Sequence, residues 1–304
     1  AAHLLASVSA RKSRWKQALY LVSVVFIVIA LARPQSGGSR QEVKSEGVEI
    51  MLLVDVSKSM LAEDVKPSRL ELAKKELSRL LDRAAGDRVG LIAFAGSGLL
   101  LSPMTPDKNA LKMFIDSLTT ESVSNQGTEF EKALKEASRA FARGGVEETE
   151  NTVVTQTVVI ASDGENNEPG ALEFAREMVN EQDIRIFSLG FGTEKGSPIP
   201  IRNDRGELEG YHKDSSGQTV ITKTKGTVLK NLAEIGGGSF HHVSFGGNAI
   251  DRLYGDIQKL ERTEFESAKI TDRDENYQLF GLLAFFSGLL GLFLGERHLS
   301  NRVW

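Results

Sequence analysis

The stretch EIMLLVDVSKSMLAEDVKPSRLELAKKELSRLL, from Glu49 to Leu81, decides the fold. VEIMLLV is a near-continuous apolar run, as expected of a strand buried on both faces. A helix follows, opening at Ser68 with Glu71 three residues on as a capping box, and Leu70, Ala73, Leu77, Leu80 and Leu81 form its apolar stripe. Between strand and helix, Asp55, Ser57 and Ser59 place a carboxylate and two hydroxyls at alternate positions, where further apolar residues would pack more cheaply.

Outward from this stretch the same order repeats. RVGLIAFAG reads as the next strand and GLLLSPMT as a short extended segment. TPDKNALKMFIDSL reads as a helix capped by Thr105 with Pro106 in its first turn, and with Leu111, Phe114, Ile115 and Leu118 facing inward. A helix from Thr128 to a Gly144 stop, the strand TVVIASDGE, and two further helix–strand pairs complete the series, the Gly236–Gly238 run between the last pair reading as a loop. Such alternation specifies an α/β fold with a doubly wound, mostly parallel sheet. One segment, about 197–224, interrupts it with short runs split by the turn sequences NDRG and DSSG, and reads as an inserted β-hairpin or meander.

Two apolar segments flank this domain. WKQALYLVSVVFIVIALARP is uncharged between Lys16 and Arg33, and YQLFGLLAFFSGLLGLFLGERH is uncharged from Tyr277 to Gly295. In the first, about 16–18 residues at about 1.5 Å each span about 24–27 Å, slightly short of a hydrocarbon core. Trp15 and Tyr20 lie near one end, as interfacial aromatics do. A cleavable signal sequence fits less well, since Arg33–Pro34 is a poor cleavage context. The expected organisation is a cytoplasmic segment 1–14, a membrane helix 15–33, a linker 34–46, the α/β domain 47–250, a connecting helix 251–276, a second membrane helix 277–295 and a cytoplasmic tail 296–304. Arg11, Lys12, Arg14 and Lys16 before the first span, and Arg297 and Arg302 after the second, place both ends in the cytoplasm. The α/β domain then lies across a bacterial inner membrane, in the periplasm. The missing initiator Met and the short apolar AAHLLASV lead to the expectation of a sequence that begins part-way, after an earlier span.

The balance of the chain is otherwise ordinary, with 40% hydrophobic and 26% charged residues. A net charge of −4, with no basic patch among aromatics, gives no support to nucleic-acid binding. The absence of cysteine suits any compartment.

Chemistry concentrates where an open α/β sheet exposes its ligand crevice, beyond the strand carboxyl ends. There lie Asp55, Ser57 and Ser59, then Thr128 ending NQGT, then Asp163 in SDG. Two carboxylates and three hydroxyls are hard oxygen donors, suited to Mg²⁺ with about six oxygens at about 2.0–2.1 Å, and Mn²⁺ or Ca²⁺ can substitute. The site would be formally neutral with the cation, which could then accept a carboxylate from another protein. Each fragment alone has a plainer reading: the serines could cap the next helix, Thr128 with Glu131 is a capping box, and Asp163–Gly164 is a turn. Glu165 and Glu168 read as solvated loop acids. His241 and His242, adjacent on a strand, point to opposite faces and so do not share a metal. Ser287, Gly291 and Gly295, four residues apart, form a small-residue face for a helix contact, in a homo- or hetero-oligomer.

The order D-x-S-x-S, Thr, Asp resembles the metal-ion-dependent adhesion site of von Willebrand factor A (VWA) domains. The resemblance implies Ser57, Ser59 and Thr128 as direct ligands, with Asp55 and Asp163 binding directly or through water. ARPQ, DVSKSMLAEDVKPSRLELAK, GDRVGLIAFAG, NQGTEFEKAL, VVIASDGENNEPGA and GSPIP…GYHKDSSGQTVITK together resemble the Bat (Bacteroides aerotolerance) membrane proteins of the BatA/BatB type. That implies a non-enzymatic interaction module in an envelope or stress-tolerance complex, with other Bat proteins and a MoxR-type AAA+ ATPase as partners. Two alternatives stand beside it. One is a Mg²⁺-dependent phosphotransferase or phosphatase with Asp55 as nucleophile, although the second acid that chemistry wants two residues on is replaced by Ser57. The other is a structural membrane protein with a vestigial site.

Overall fold

The computed structural model describes residues 10–32, 44–144, 152–165, 169–203, 205–243, 247–271 and 277–293. Residues 34–43 of the expected linker, the tail 296–304, Glu168 and Gly295 lie outside them. The chain divides into two compact units, Val43–Ser267 and the pair of end segments Ala1–Glu42 and Ala268–Trp304.

In the larger unit the helices and strands are β1 (Lys44–Asp55), α2 (Arg69–Arg83), β2 (Arg88–Phe94), β3 (Gly98–Thr105), α3 (Lys108–Ser117), α4 (Phe130–Gly144), β4 (Thr152–Ser162), α5 (Pro169–Gln182) and β5 (Arg185–Phe191), then α6 (Thr227–Ile235), β10 (Gly237–Val243) and α7 (Ala249–Thr271). The short strands β6 (Ser197–Pro198), β7 (Pro200–Arg202), β8 (Leu208–Tyr211) and β9 (Ile221–Thr222) lie between β5 and α6. The six-stranded sheet runs β10-β5-β4-β1-β2-β3, and only the β2–β3 pair is antiparallel. Strand order reverses between β1 and β4, which is the switch point where doubly wound sheets open a crevice.

β1 shows why its run is apolar throughout. Val48, Ile50, Leu52 and Val54 join the core under α2, α3 and α7, whereas Met51 and Leu53 join the core under α4, α5 and α6. Both faces are covered, and each large aliphatic side chain so buried contributes about 1.5–3 kcal/mol.

Several local expectations are corrected. Asp107, not Thr105, caps α3, accepting from the amides of Asn109 and Ala110 at 3.0 Å each. The Thr105 hydroxyl instead accepts from the Asp107 amide at 3.1 Å. Leu111 and Ile115 are buried as expected, but Phe114 is 41% exposed. At Ser68 only half of the capping box forms: its hydroxyl accepts from the Glu71 amide, while the Glu71 carboxylate pairs with Lys74. The Gly236–Gly238 run is not a loop, since Gly236 ends α6 and Gly237 begins β10.

The insertion is a meander. β6 pairs with β9 and β7 with β8, both antiparallel, and His212 and Lys213 continue the ladder to Val220 and Thr219. Its two turns close where NDRG and DSSG stand, with the Gly206 amide donating to Asn203 O and the Gly217 amide to Asp214 O.

In the smaller unit, α1 (Ala10–Leu31) and α8 (Tyr277–Phe293) pack together. The window Arg14–Leu31 has a mean hydropathy of 1.6 and, among the described residues, is the one helix of sufficient length and apolarity to cross a membrane. α8 is apolar over 17 residues, about 25 Å. Ser23 donates its hydroxyl to the Ala284 carbonyl at 2.8 Å, and Gly288 and Gly291 face Ser23 and Tyr20. Part of the expected small-residue face, Gly291, is therefore used within the chain, and Ser287 bonds its own helix at Ala284 O.

Candidate metal centre

Asp55 is the last residue of β1, and Asp163 follows β4, the neighbouring strand on the other side of the switch point. Both carboxylates are fully buried. Asp55 Oδ1 accepts from the Ser57 amide at 2.9 Å, and Oδ2 from the Ser162 hydroxyl at 2.6 Å. Burial, and next the negative charge of Asp163, push the Asp55 carboxyl up to about 7 against the hydrogen bonds from Ser162 and Ser57. A carboxylate held in this way is one that a cation would stabilise.

The extended turn brings the Ser57 and Ser59 hydroxyls to 3.0 Å of each other. Ser57 stands at the N-cap of the short 3₁₀ turn Lys58–Leu61, yet its side chain makes no capping bond. The plainer reading of Ser57 therefore fails.

Thr128, 5% exposed, reaches this edge through a second loop. The Val56 amide extends the β1–β2 ladder to Phe94 O, and the loop after β2 is tied to the 125–129 segment by Gly96 N to Asn125 O and Glu129 N to Ala95 O, both 2.8 Å. A Cβ on Gly96 would lie 2.6 Å from Gln126 O, so only glycine permits this approach. α4 begins at Phe130, two residues beyond Thr128, and Glu131 pairs with Lys135 at 2.6 Å.

Asp55 thus ends β1, Ser57, Ser59 and Asp163 follow the carboxyl ends of β1 and β4, and Thr128 lies in the segment tied to the loop after β2. Among the described residues no group of three or more His, Cys, Asp or Glu side chains is placed to hold a metal. The set here is of another kind, two carboxylates with three hydroxyls, and this donor chemistry fits a hard divalent cation.

Sequence reading missed the buried residue that holds Asp163. Arg69, the first residue of α2, is fully buried and uses all five of its N–H groups. It donates to Asp64 Oδ1 and Oδ2 at 2.9 and 2.8 Å, to Asp163 Oδ2 at 2.7 Å, and to Thr222 Oγ1 and O at 2.9 and 3.1 Å. Burial alone would raise Asp64, but the bonds from Arg69 and Thr193 outweigh it and hold the carboxyl below its ordinary range. Asp64 balances Arg69, so Asp55 and Asp163 remain as two negative charges for a divalent ion to neutralise. A side chain at Gly192, whose φ is +108°, would collide with Arg69 and Thr224. The signal available in sequence was phase: Arg69 shares the buried stripe of Leu72, Ala73 and Leu77.

Glu165 is also corrected. It is half-buried, and accepts from the Thr222 hydroxyl at 2.6 Å. The histidines separate as expected, His241 to Ser239 and Asp256, and His242 to Gly192 O.

Comparison with known proteins agrees with this architecture. The von Willebrand factor type A domain family matches residues 50–166. A UPF0353 protein of Nocardia farcinica is 28% identical over 292 residues, covering 92% of this chain and 81% of that protein. The crystal structure of an aerotolerance-related membrane protein from Bacteroides fragilis is 34% identical with a TM-score of 0.63, covering 70% of this chain and 100% of that one. That of BatB from Bacteroides thetaiotaomicron is 33% identical with a TM-score of 0.61, covering 73% and 100%. The chain belongs to the von Willebrand factor A domain proteins of the Bat, aerotolerance-related membrane family.

Proposed function

We propose that this chain is a membrane-anchored protein-interaction module, not an enzyme, whose VWA domain binds Mg²⁺ at a metal-ion-dependent adhesion site. Ser57, Ser59 and Thr128 are direct ligands, and Asp55 and Asp163 bind directly or through water; Mn²⁺ or Ca²⁺ can take the place of Mg²⁺. The observation that carries this reading is the pair of buried carboxylates flanking the switch point beside two hydroxyls 3.0 Å apart. When bound, the cation supplies an electrophilic point that a partner's acidic residue can complete. The protein's own contribution is to hold the carboxylates still, through Ser162, the Ser57 amide and Arg69.

A phosphotransferase role for Asp55 is disfavoured by the same bonds, since both of its oxygens are already engaged and the residue two positions on is Ser57. By likeness to the Bat family, the partners are other Bat proteins and a MoxR-type AAA+ ATPase. The membrane helices 15–33 and 277–295 leave both ends in the cytoplasm and the VWA domain in the periplasm, on the positive-inside rule.

The test is a pull-down with the intact protein from detergent-solubilised native membranes in Mg²⁺, in EDTA, and with Asp55→Ala in Mg²⁺. Partners retained only with Mg²⁺ and intact Asp55 are expected. The same partners in all three conditions would remove the metal from recognition.

A further inference from the structure

The meander leaves the α/β scaffold at Thr193 and returns at Thr224, and these two residues are joined by the Thr224 amide donating to Thr193 O at 3.1 Å. Just inside this base, one guanidinium holds both the meander and the candidate cation site. Arg69 Nη1 donates to Asp163 Oδ2 and to Thr222 Oγ1, and Nη2 donates to Thr222 O. The Thr222 hydroxyl in turn donates a hydrogen bond to Glu165 Oε2, two residues from Asp163. On the entering side, Asp64 Oδ2 accepts from the Thr193 amide at 2.8 Å and hydroxyl at 3.0 Å while paired with Arg69. The bonds from Arg69 to Asp163 and Thr222 are buried, so they are made with little competition from water, while Asp64, Thr193 and Glu165 are half-buried.

We propose that Arg69 is a positioning residue that couples the meander to the cation site, so that an ion at Asp163 orders the meander, and a change in the meander alters affinity for the ion. This rests on the metal-binding reading of Asp55, Ser57, Ser59, Thr128 and Asp163. Arg69 has no spare donor, so moving Thr222 or Thr193 shifts the guanidinium, and the guanidinium carries Asp163 with it. Lysine cannot substitute: its single ammonium cannot make a bidentate pair with Asp64 while also reaching Asp163 and Thr222. By linkage, anything that changes the order of the meander changes ion affinity by the same factor by which the ion changes that order.

The experiment uses the full chain in detergent micelles, with Mn²⁺ as probe. Calorimetric titration gives its affinity, and amide hydrogen exchange with and without Mn²⁺ reads the meander. In the wild type, Mn²⁺ is expected to slow exchange across 193–196 and 220–224. Arg69→Lys should weaken Mn²⁺ binding about 10- to 100-fold, the usual effect of losing a group that orients a ligand, and should abolish that slowing. Thr222→Val, which keeps the ion pairs, the bond to Thr222 O and the Asp64–Thr193 bonds and removes only the hydroxyl link, should reduce it, and an unchanged slowing would exclude the hydroxyl from the coupling. A purely structural role for Arg69 would alter basal exchange without altering the difference that Mn²⁺ makes. Mn²⁺ binding in the wild type with no change in meander exchange, or with equal affinity in Arg69→Lys, overturns the coupling alone. No Mn²⁺ binding in the wild type overturns the metal reading itself, and the coupling with it.

Discussion

At the scale of single residues, the site stores unfavourable electrostatics. Asp55 is buried beside Asp163, and only Asp163 has a guanidinium partner. A carboxyl whose pKa is raised on folding favours the folded state when protonated, so stability is lost as pH rises from the unfolded value toward the folded one. For Asp55 that window runs from 3.8 to about 7. Asp64 acts in the opposite sense, because its depressed carboxyl removes stability only as the pH falls below the ordinary carboxylate range. In EDTA, the melting temperature of the wild type is therefore expected to fall between pH 5 and pH 8, where Asp64 is already ionised. Asp55→Asn should flatten that slope, raise the metal-free melting temperature at pH 8 by a few degrees, and lose the stabilisation that Mg²⁺ gives the wild type. Thermal melts at the two pH values, with and without Mg²⁺, check all three outcomes.

At the scale of elements, helix boundaries follow the residue that best satisfies the first free amides. For α3 that residue is Asp107, which accepts two amide bonds, whereas Thr105 accepts one from the turn before the helix. Asp107→Ala should cost about 1 kcal/mol in urea unfolding, the usual value of an N-cap. On the same helix Phe114 faces outward beside Met113, 74% exposed, while Leu111 and Ile115 keep the buried face. The meander, by contrast, obeys local turn chemistry, and both of its turns close at the Gly residues that adopt positive φ, Gly206 and Gly217.

At the scale of the whole molecule, the sheet with helices on both faces forms a unit that accounts for its own core, and the apolar end helices form another. Segment 43–267 made alone should therefore unfold in a single transition, within a few degrees of the full chain in detergent. Two separate transitions within that segment, by circular dichroism and tryptophan-independent calorimetry, would divide the domain differently.

The alternation of strands and helices, the meander's turns and the D-x-S-x-S loop were legible in the chain because each is a local pattern, whereas Thr128 and Asp163 were singled out only by their order after Asp55 and the family resemblance. A buried parallel strand must be apolar throughout, a turn needs glycine at particular positions, and D-x-S-x-S delivers its donors within one loop. Arg69 was not legible as the partner of Asp163, since Asp163 and Thr222 lie 94 and 153 residues away. In sequence it is one more cation at the start of a helix. Tertiary structure alone decides that its guanidinium is buried, because only the fold brings Asp64, the loop after β4 and the end of the meander around it. Burial without water then requires all five donors to be met, and the residues that meet them are chosen by the fold and not by their neighbours in the chain.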